Sequence, residues 1–426
     1  IIFGSLGGGA MLYNGENFDA INLESGLISN NVNTSFESES GTIFLGTEDG
    51  LSVLVPRLFN SITLDNQSIF RDEAVTLTQD GNDRFWIGMY GLGYRYLEND
   101  GWKSIENPPF VTNGYAQSST IDSDGNLWVG TQGSGVFKFD GSNFASKYTT
   151  ENGLLDNYTR GITFDFDGNL WVGSNKGISV YSQSEELITT YSTSDEIPNP
   201  FCITLTTASD GSVWYGSFGG GVVKFKDGEK TIYNSSKGLR SDQVLSIFED
   251  SNSDIWIGTF NYGISKVVGD SLTTFGPNDG LLEGANVAGI LEDDDQNLWL
   301  ATGNGVIKVS LSEFNNYEAG NIEQINIHYY TTEDGLISDN LQAANNSTVL
   351  KHKDGALFFA SIDGISYINP NEKTSFTSSV SPYIEEILVD GEPISDFDEF
   401  ELTPDQNKLE ISFSAINFET PRKTKF

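Results

Sequence analysis

Cysteine is nearly absent: Cys202 stands alone in 426 residues, so no intrachain disulfide can form. Histidine is almost as scarce, and His328 and His352 lie near no Cys or carboxylate at the spacing of a metal site. Basic residues are few, 23 Lys and Arg against 60 Asp and Glu, for a formal charge of −37. That balance argues against nucleic acid, whose phosphates are neutralised by Lys and Arg, and against docking on an anionic membrane surface. No apolar run approaches the roughly 18 residues that span a bilayer, and no basic stretch leads into an apolar core at the start of the chain. Against these absences stand 37% hydrophobic and 12% aromatic residues, enough to bury sizeable cores, so a folded protein is expected.

What is present is a repeat. An apolar residue, an aromatic, an apolar residue, Gly, then Thr or Ser recurs as Leu127-Trp128-Val129-Gly130-Thr131, Leu170-Trp171-Val172-Gly173-Ser174 and Ile255-Trp256-Ile257-Gly258-Thr259. Looser copies place the aromatic at 44, 86, 214, 299 and 358, and Ile1-Ile2-Phe3-Gly4 is a ninth, shortened copy. Six of the seven Trp occupy this slot. Steps between copies are 42 or 43 residues except the last, which is 59. A polar turn such as Asp124-Gly125 precedes each phrase, a second Gly follows it, and a Gly-Leu pair such as Gly153-Leu154 lies between copies. Short alternating runs punctuated by Gly, Asn and Asp are hairpin signals. About four strands fit one period, which is the size of a propeller blade.

An all-β fold follows: a β-propeller of four-stranded blades. Each blade must pack both faces on its neighbours, so the Trp slot reads as seam packing and the Gly two residues later as a close backbone approach. Counting back from the last copy gives a seven-bladed ring over residues 59–374, with 1–58 as the last blades of a preceding propeller. A single eight-bladed ring is the alternative. The 59-residue step is read as marking the last blade, with an insertion from Leu311 to Thr332. Residues 375–426 alternate like the start of a sandwich domain. Because the chain begins and stops inside recurring patterns, it is read as a piece of a longer protein.

The phrase Asp124-Gly125-Asn126-Leu127-Trp128-Val129-Gly130-Thr131, the Gly-Leu pairs, and Leu409-Glu410-Ile411-Ser412-Phe413-Ser414-Ala415-Ile416-Asn417-Phe418 together resemble the two-component regulator propeller family followed by its triple-tyrosine domain. The resemblance implies the periplasmic or extracellular sensor of a membrane-anchored regulator, often a hybrid histidine kinase. It implies a small-molecule ligand such as an oligosaccharide and a signal relayed through the sandwich to a membrane helix outside this segment. Kinase sensors of this kind often work as homodimers.

Chemistry leaves little mark on the sequence. There is no Gly-x-Ser-x-Gly elbow, and seven Arg fall short of the arginine cluster that a sialidase propeller needs. The Gly7-Gly8-Gly9 and Gly219-Gly220-Gly221 runs lack the Lys-Ser/Thr of a phosphate loop and read as turns. Loops such as Asp122-Ser123-Asp124-Gly125-Asn126 partly mimic calcium loops but lack the later Glu, and read as hairpin turns. Neither a catalytic residue, a metal site nor a cofactor is expected. Ligand contacts are expected from one propeller face. Loops joining second and third strands carry Tyr90, Phe218, Phe260 and Tyr262, and loops entering first strands carry Asn113, Tyr115, Asn157, Tyr158, Arg160 and Phe201. Aromatic platforms mixed with hydrogen-bonding groups suit sugar hydroxyls. The alternatives are a secreted or surface propeller that binds glycan or protein and, less favoured, a propeller lyase or hydrolase.

Overall fold

The computed structural model describes residues 1–13, 15, 17–38, 41–55, 57–62, 74–89, 93–98, 101–105, 116–139, 141, 144–193, 197–341, 347–372, 383–394 and 408–414. Its contacts divide the chain into two units, Leu58–Glu372 and a second made of Ile1–Arg57 with Lys373–Phe426.

In the first unit seven four-stranded antiparallel sheets follow one another. The second blade is typical: Ala116–Ile121, Leu127–Thr131, Val136–Phe139 and Phe144–Tyr148 form a meander from the inner to the outer strand. First strands of neighbouring blades pack side by side, and Val349–Lys351 of the seventh blade packs against Ala74–Gln79 of the first. The seven sheets therefore close into a ring. Closure uses a device that the repeat does not reveal. The seventh blade takes only three strands from the C-terminal end, Val349–Lys351, Leu357–Ser361 and Gly364–Ile368, and its outer strand is Asn60–Ile62 from the other end of the unit. Ser61 pairs with Ser366 and Asn60 with Tyr367.

The seam reading of the tryptophans holds. Trp86, Trp128, Trp171, Trp214, Trp256 and Trp299 are all buried, and Trp86 shares a cluster with Leu127, Val129, Phe137 and Phe139 of the next blade. Trp102, outside the slot, lies in an outer strand and is 38% exposed. Gly173 shows why the phrase needs glycine: a Cβ there would lie 2.2 Å from Cys202 Sγ of the next blade. Gly-Leu pairs close short 3-10 turns. Gly153 has φ 103°, a left-handed value that favours glycine, and Leu154 after it is buried.

The polar turns also have a fixed role. Asp122 Oδ1 accepts the backbone N–H groups of Asp124 and Asn126, while Oδ2 accepts the indole N–H of Trp128 at 2.9 Å. The Asp–indole bond recurs at Asp80–Trp86, Asp165–Trp171, Asp250–Trp256 and Asp293–Trp299, at 2.8–2.9 Å. The fourth blade has Ala208 at the Asp position, and its Trp214 donates to Ser212 Oγ instead. The first carboxylate of the calcium-like loops, Asp122, Asp165 and Asp293, is thus a hairpin and tryptophan acceptor, and among the described residues no group of three or more His, Cys, Asp or Glu is placed to hold a metal ion.

One sequence expectation is corrected. The insertion at Leu311 to Thr332 belongs to the sixth blade, between its third strand Gly305–Ser310 and outer strand His328–Tyr330. Counting from aromatic to aromatic assigned the extra length to the next copy, because the aromatic slot lies ahead of the insertion in its own blade. The insertion forms α1, Leu311–Glu318, capped by Ser310 Oγ accepting the N–H of Ser312. Phe314 of α1 packs on Trp256 and Phe275 of the fifth blade, and Glu318 pairs with Lys266 at 2.5 Å.

In the second unit, two three-stranded sheets, Ile2–Ser5/Gly9–Tyr13/Phe18–Ile21 and Val32–Glu37/Ile43–Thr47/Gly50–Leu54, share a core of Ala10, Leu27, Val32 and Leu45. A third antiparallel sheet joins Tyr383–Val389, Glu392–Pro393 and Leu409–Ser414.

Candidate functional site

The site is built from a backbone irregularity. In each of the first six blades of the ring the inner strand carries a bulge at its second residue, where the register slips against the second strand. Bulges re-aim a side chain. The bulged residues are Val75, Gln117, Arg160, Ile203, Leu245 and Ala288, so Arg160 is the one charged residue among these six positions. Its guanidinium lies 4.7 Å over the ring of Phe201, and its Nε donates to Asn175 Oδ1 at 3.0 Å. Burial lowers the guanidinium pKa from its ordinary value. Phe201 leads into the fourth blade, and its ring lies 6.5 Å from that of Phe218, which follows the second strand of the same blade. Phe218 in turn lies 6.1 Å from Phe260 of the fifth blade in an edge arrangement. Arg160, Phe201, Phe218 and Phe260 thus form a row across the third, fourth and fifth blades.

Backbone pairing holds the row. Phe218 N–H donates to Phe201 O, Phe260 N–H donates to Gln243 O, and Phe218 bridges to Gln243. Asn199 fixes the turn from both sides, accepting from Phe201 N–H at 2.8 Å and donating to Phe218 O at 3.2 Å. Phe218 is 38% exposed, so the middle of the row faces solvent. Cys202, the residue after Phe201, is fully buried against Gly173 of the preceding blade, and burial pushes its thiol pKa up.

Of the sequence-predicted residues, these four are brought together. Tyr158 and Tyr262 are 43% and 50% exposed on the same loops, and among the described residues no ring contact joins them to the row. Asn157 instead lines a polar cleft of about 730 Å³ with Ser134, Thr150, Glu151 and Asn152 on that face. Tyr90, Asn113 and Tyr115 lie outside the described residues. The sequence reading missed Asn175, Asn199 and Gln243. The Asn175 and Asn199 side-chain amides hold the guanidinium and the turn within their own blades, and the Gln243 backbone pairs with Phe260 and Phe218, a signal that residue type alone does not carry.

Residues 111–133, 153–176 and 238–261 each match the family described as "Two component regulator propeller". Among curated protein sequences, none matches the chain. Two similar solved structures are extracellular domains of hybrid two component systems from B. thetaiotaomicron. One is 23% identical over 96% of this chain with a TM-score of 0.73, the other 15% identical over 91% with a TM-score of 0.61. The chain spans 56% and 54% of the length of those two domains. Virginiamycin B lyase from Staphylococcus aureus, at 15% identity, matches 72% of this chain and 98% of its own with a TM-score of 0.56. At these identities the likeness establishes the propeller fold. No helix among the described residues is long and apolar enough to cross a membrane.

Proposed function

We propose that this chain is the ligand-sensing part of the periplasmic or extracellular region of a two-component regulator, and that the row from Arg160 to Phe260 binds a small oligosaccharide. The three matched repeats and the likeness to extracellular domains of hybrid two component systems support the sensor role. The single observation behind the site is the row itself: a half-buried guanidinium stacked on one ring, with further rings at 6.5 and 6.1 Å on consecutive blades. Exposed aromatic faces beside backbone amides and the neighbouring Ser, Thr and Asn cleft suit the apolar faces and hydroxyls of sugars. In this reading the segment turns nothing over and needs no cofactor, residues 375–426 begin a triple-tyrosine sandwich that relays the signal to a membrane helix outside the segment, and the regulator works as a homodimer.

A lyase reading has one observation to answer. The catalytically inactive variant of virginiamycin B lyase replaces a histidine by alanine. In this chain His328 sits in an outer strand and His352 in a hairpin turn beside Asp354, neither on the row.

Calorimetric titration with a panel of neutral and acidic oligosaccharides tests the reading. Saturable binding without cleavage is expected, weakened by about 1–3 kcal/mol in Phe218→Ala or Phe260→Ala, the range lost when a large contact residue is truncated. Release of a shortened glycan, or binding indifferent to both variants, overturns it.

A further inference from the structure

The chain enters and leaves the ring through one blade. Asn60–Ile62 follows the junction at Arg57 and Leu58, Gly364–Ile368 precedes the junction at Glu372 and Lys373, and the two strands pair in the seventh blade. Both covalent links between the ring and the rest of the protein therefore hang on this blade, and whatever displaces it displaces both.

The same blade is short of the ties that the repeat supplies. Among the described residues its inner strand, Val349–Lys351, is three residues long, where the inner strand of each of the other six blades has six. Its aromatic slot holds Phe358, which has no N–H to donate to the turn. The turn position that carries Asp122 in the second blade holds His352, paired with Asp354 at 2.8 Å. Apolar packing remains on both sides, through Leu357 and Phe359 toward Trp299 and through Ala360 and Ile365 toward Ala74 and Ile87.

Ion pairs are added across both of its seams. Lys351 Nζ lies 2.7 Å from Oδ1 of Asp294 in the turn of the sixth blade, whose Oδ2 accepts from Asn371 Nδ2 at 2.7 Å. On the other side Lys353 pairs with Asp83 in the turn of the first blade. The turns of the fourth and fifth blades reach forward through hydroxyl and amide bonds instead, Ser209 to Glu249 and Ser251 to Glu292. We propose that the seventh blade is the releasable element of the ring, and that Lys351–Asp294 and Lys353–Asp83 are the latches that hold it to its neighbours. Their side chains are 35–58% exposed, so each pair is weak alone and open to screening by salt. Placed on both sides of one weakly tied blade, the two together set how often it opens as a unit. The device stands whatever the row binds.

The test is hydrogen exchange of the 426-residue protein in about 0.1 M and about 1 M NaCl, between which the screening length falls from about 10 Å to about 3 Å. At a net charge of −37, screening relieves self-repulsion and steadies the ring as a whole. Amides of Leu170–Ser174 and Gly177–Tyr181 in the third blade are therefore expected to exchange no faster in high salt. Those of Leu357–Ser361 and Gly364–Ile368 should exchange about threefold faster or more, the opposite response. Lys351→Met combined with Lys353→Met gives the faster exchange already in low salt and removes the response; should that variant fail to fold, the wild type decides alone. Lys353→Asp raises exchange in low salt, and adding Asp83→Lys restores the protection. The same salt response in the third and seventh blades, seventh-blade amides that exchange only when the whole ring does, or wild-type rates in the double Met variant overturn the proposal.

Discussion

Trp128 donates its indole N–H to Asp122 Oδ2 at 2.9 Å, across the hairpin that joins the first two strands of its blade. The same carboxylate holds the turn N–H groups of Asp124 and Asn126 and lies 3.1 Å from Lys138, whose ammonium stands 5.1 Å over the Trp128 ring. One residue therefore sets the turn, the rotamer of the seam tryptophan and the position of a lysine. Asp122→Ala should cost about 2–3 kcal/mol, because it leaves a largely buried indole N–H and two turn amides without an acceptor. Asp124→Ala, an exposed position in the same turn, should stay within about 0.5 kcal/mol. Chemical denaturation of the two variants checks the contrast.

The same carboxylate gives a pH dependence. Burial raises its pKa, but this is outweighed by hydrogen bonds from Trp128, Asn126 and Lys138, which bring it below the ordinary 3.8. The unfolded chain then takes up the proton more readily than the folded one. The stabilisation is fully present above the unfolded value and lost as pH falls below it. Asp210, drawn down by Lys226, Ser212 and Lys224 against its burial, acts in the same sense. Tm should therefore hold at mildly acidic pH and drop as the pH falls below 3.8, and Asp122→Asn should lower Tm near neutrality while making that drop shallower.

Ring closure rests on a three-residue strand and the phenylalanine before it. Phe59 is 1% exposed and meets Trp299, Tyr330 and Phe359 edge-on at 6.3, 5.5 and 6.2 Å. Phe59→Ala should cost about 3–5 kcal/mol. Hydrogen exchange should show the loss first in Gly364–Ile368, the strand that Asn60–Ile62 covers.

Helix α1 combines an apolar and an ionic contact on the fifth blade. Phe314 is fully buried, and the Lys266 side chain is 6% exposed beside Glu318. Phe314→Ala should cost about 3–5 kcal/mol. Glu318→Gln should cost about 1–3 kcal/mol by leaving a buried ammonium with a weaker acceptor. Replacing both partners, Lys266→Met with Glu318→Leu, should recover most of that loss, which thermal unfolding of the single and double variants measures.

The sequence by itself determined the blade. Its spacing, the Trp slot and the two glycines follow from local rules: hairpins need turn residues, and a flat sheet face with no partner of its own must find an identical neighbour. Residues 127–131 therefore read correctly as a seam strand without any tertiary information. The site was legible only in part. Phe218 and Phe260 were recognisable as aromatics on the right loops, but that Arg160 stacks on Phe201 depends on which blades are neighbours, and that Asn175 and Asn199 hold the row depends on how each blade's loops fold back on its strands. Tertiary structure alone decided two further things: Asn60–Ile62 closes a sheet whose other strands lie some 300 residues on, and α1 belongs to the sixth blade and packs on the fifth. The physical reason is common to both. A repeat specifies the contacts that every unit shares, whereas closure and insertion are differences between units, and their energies depend on residues far apart in the chain that meet only when the ring is complete.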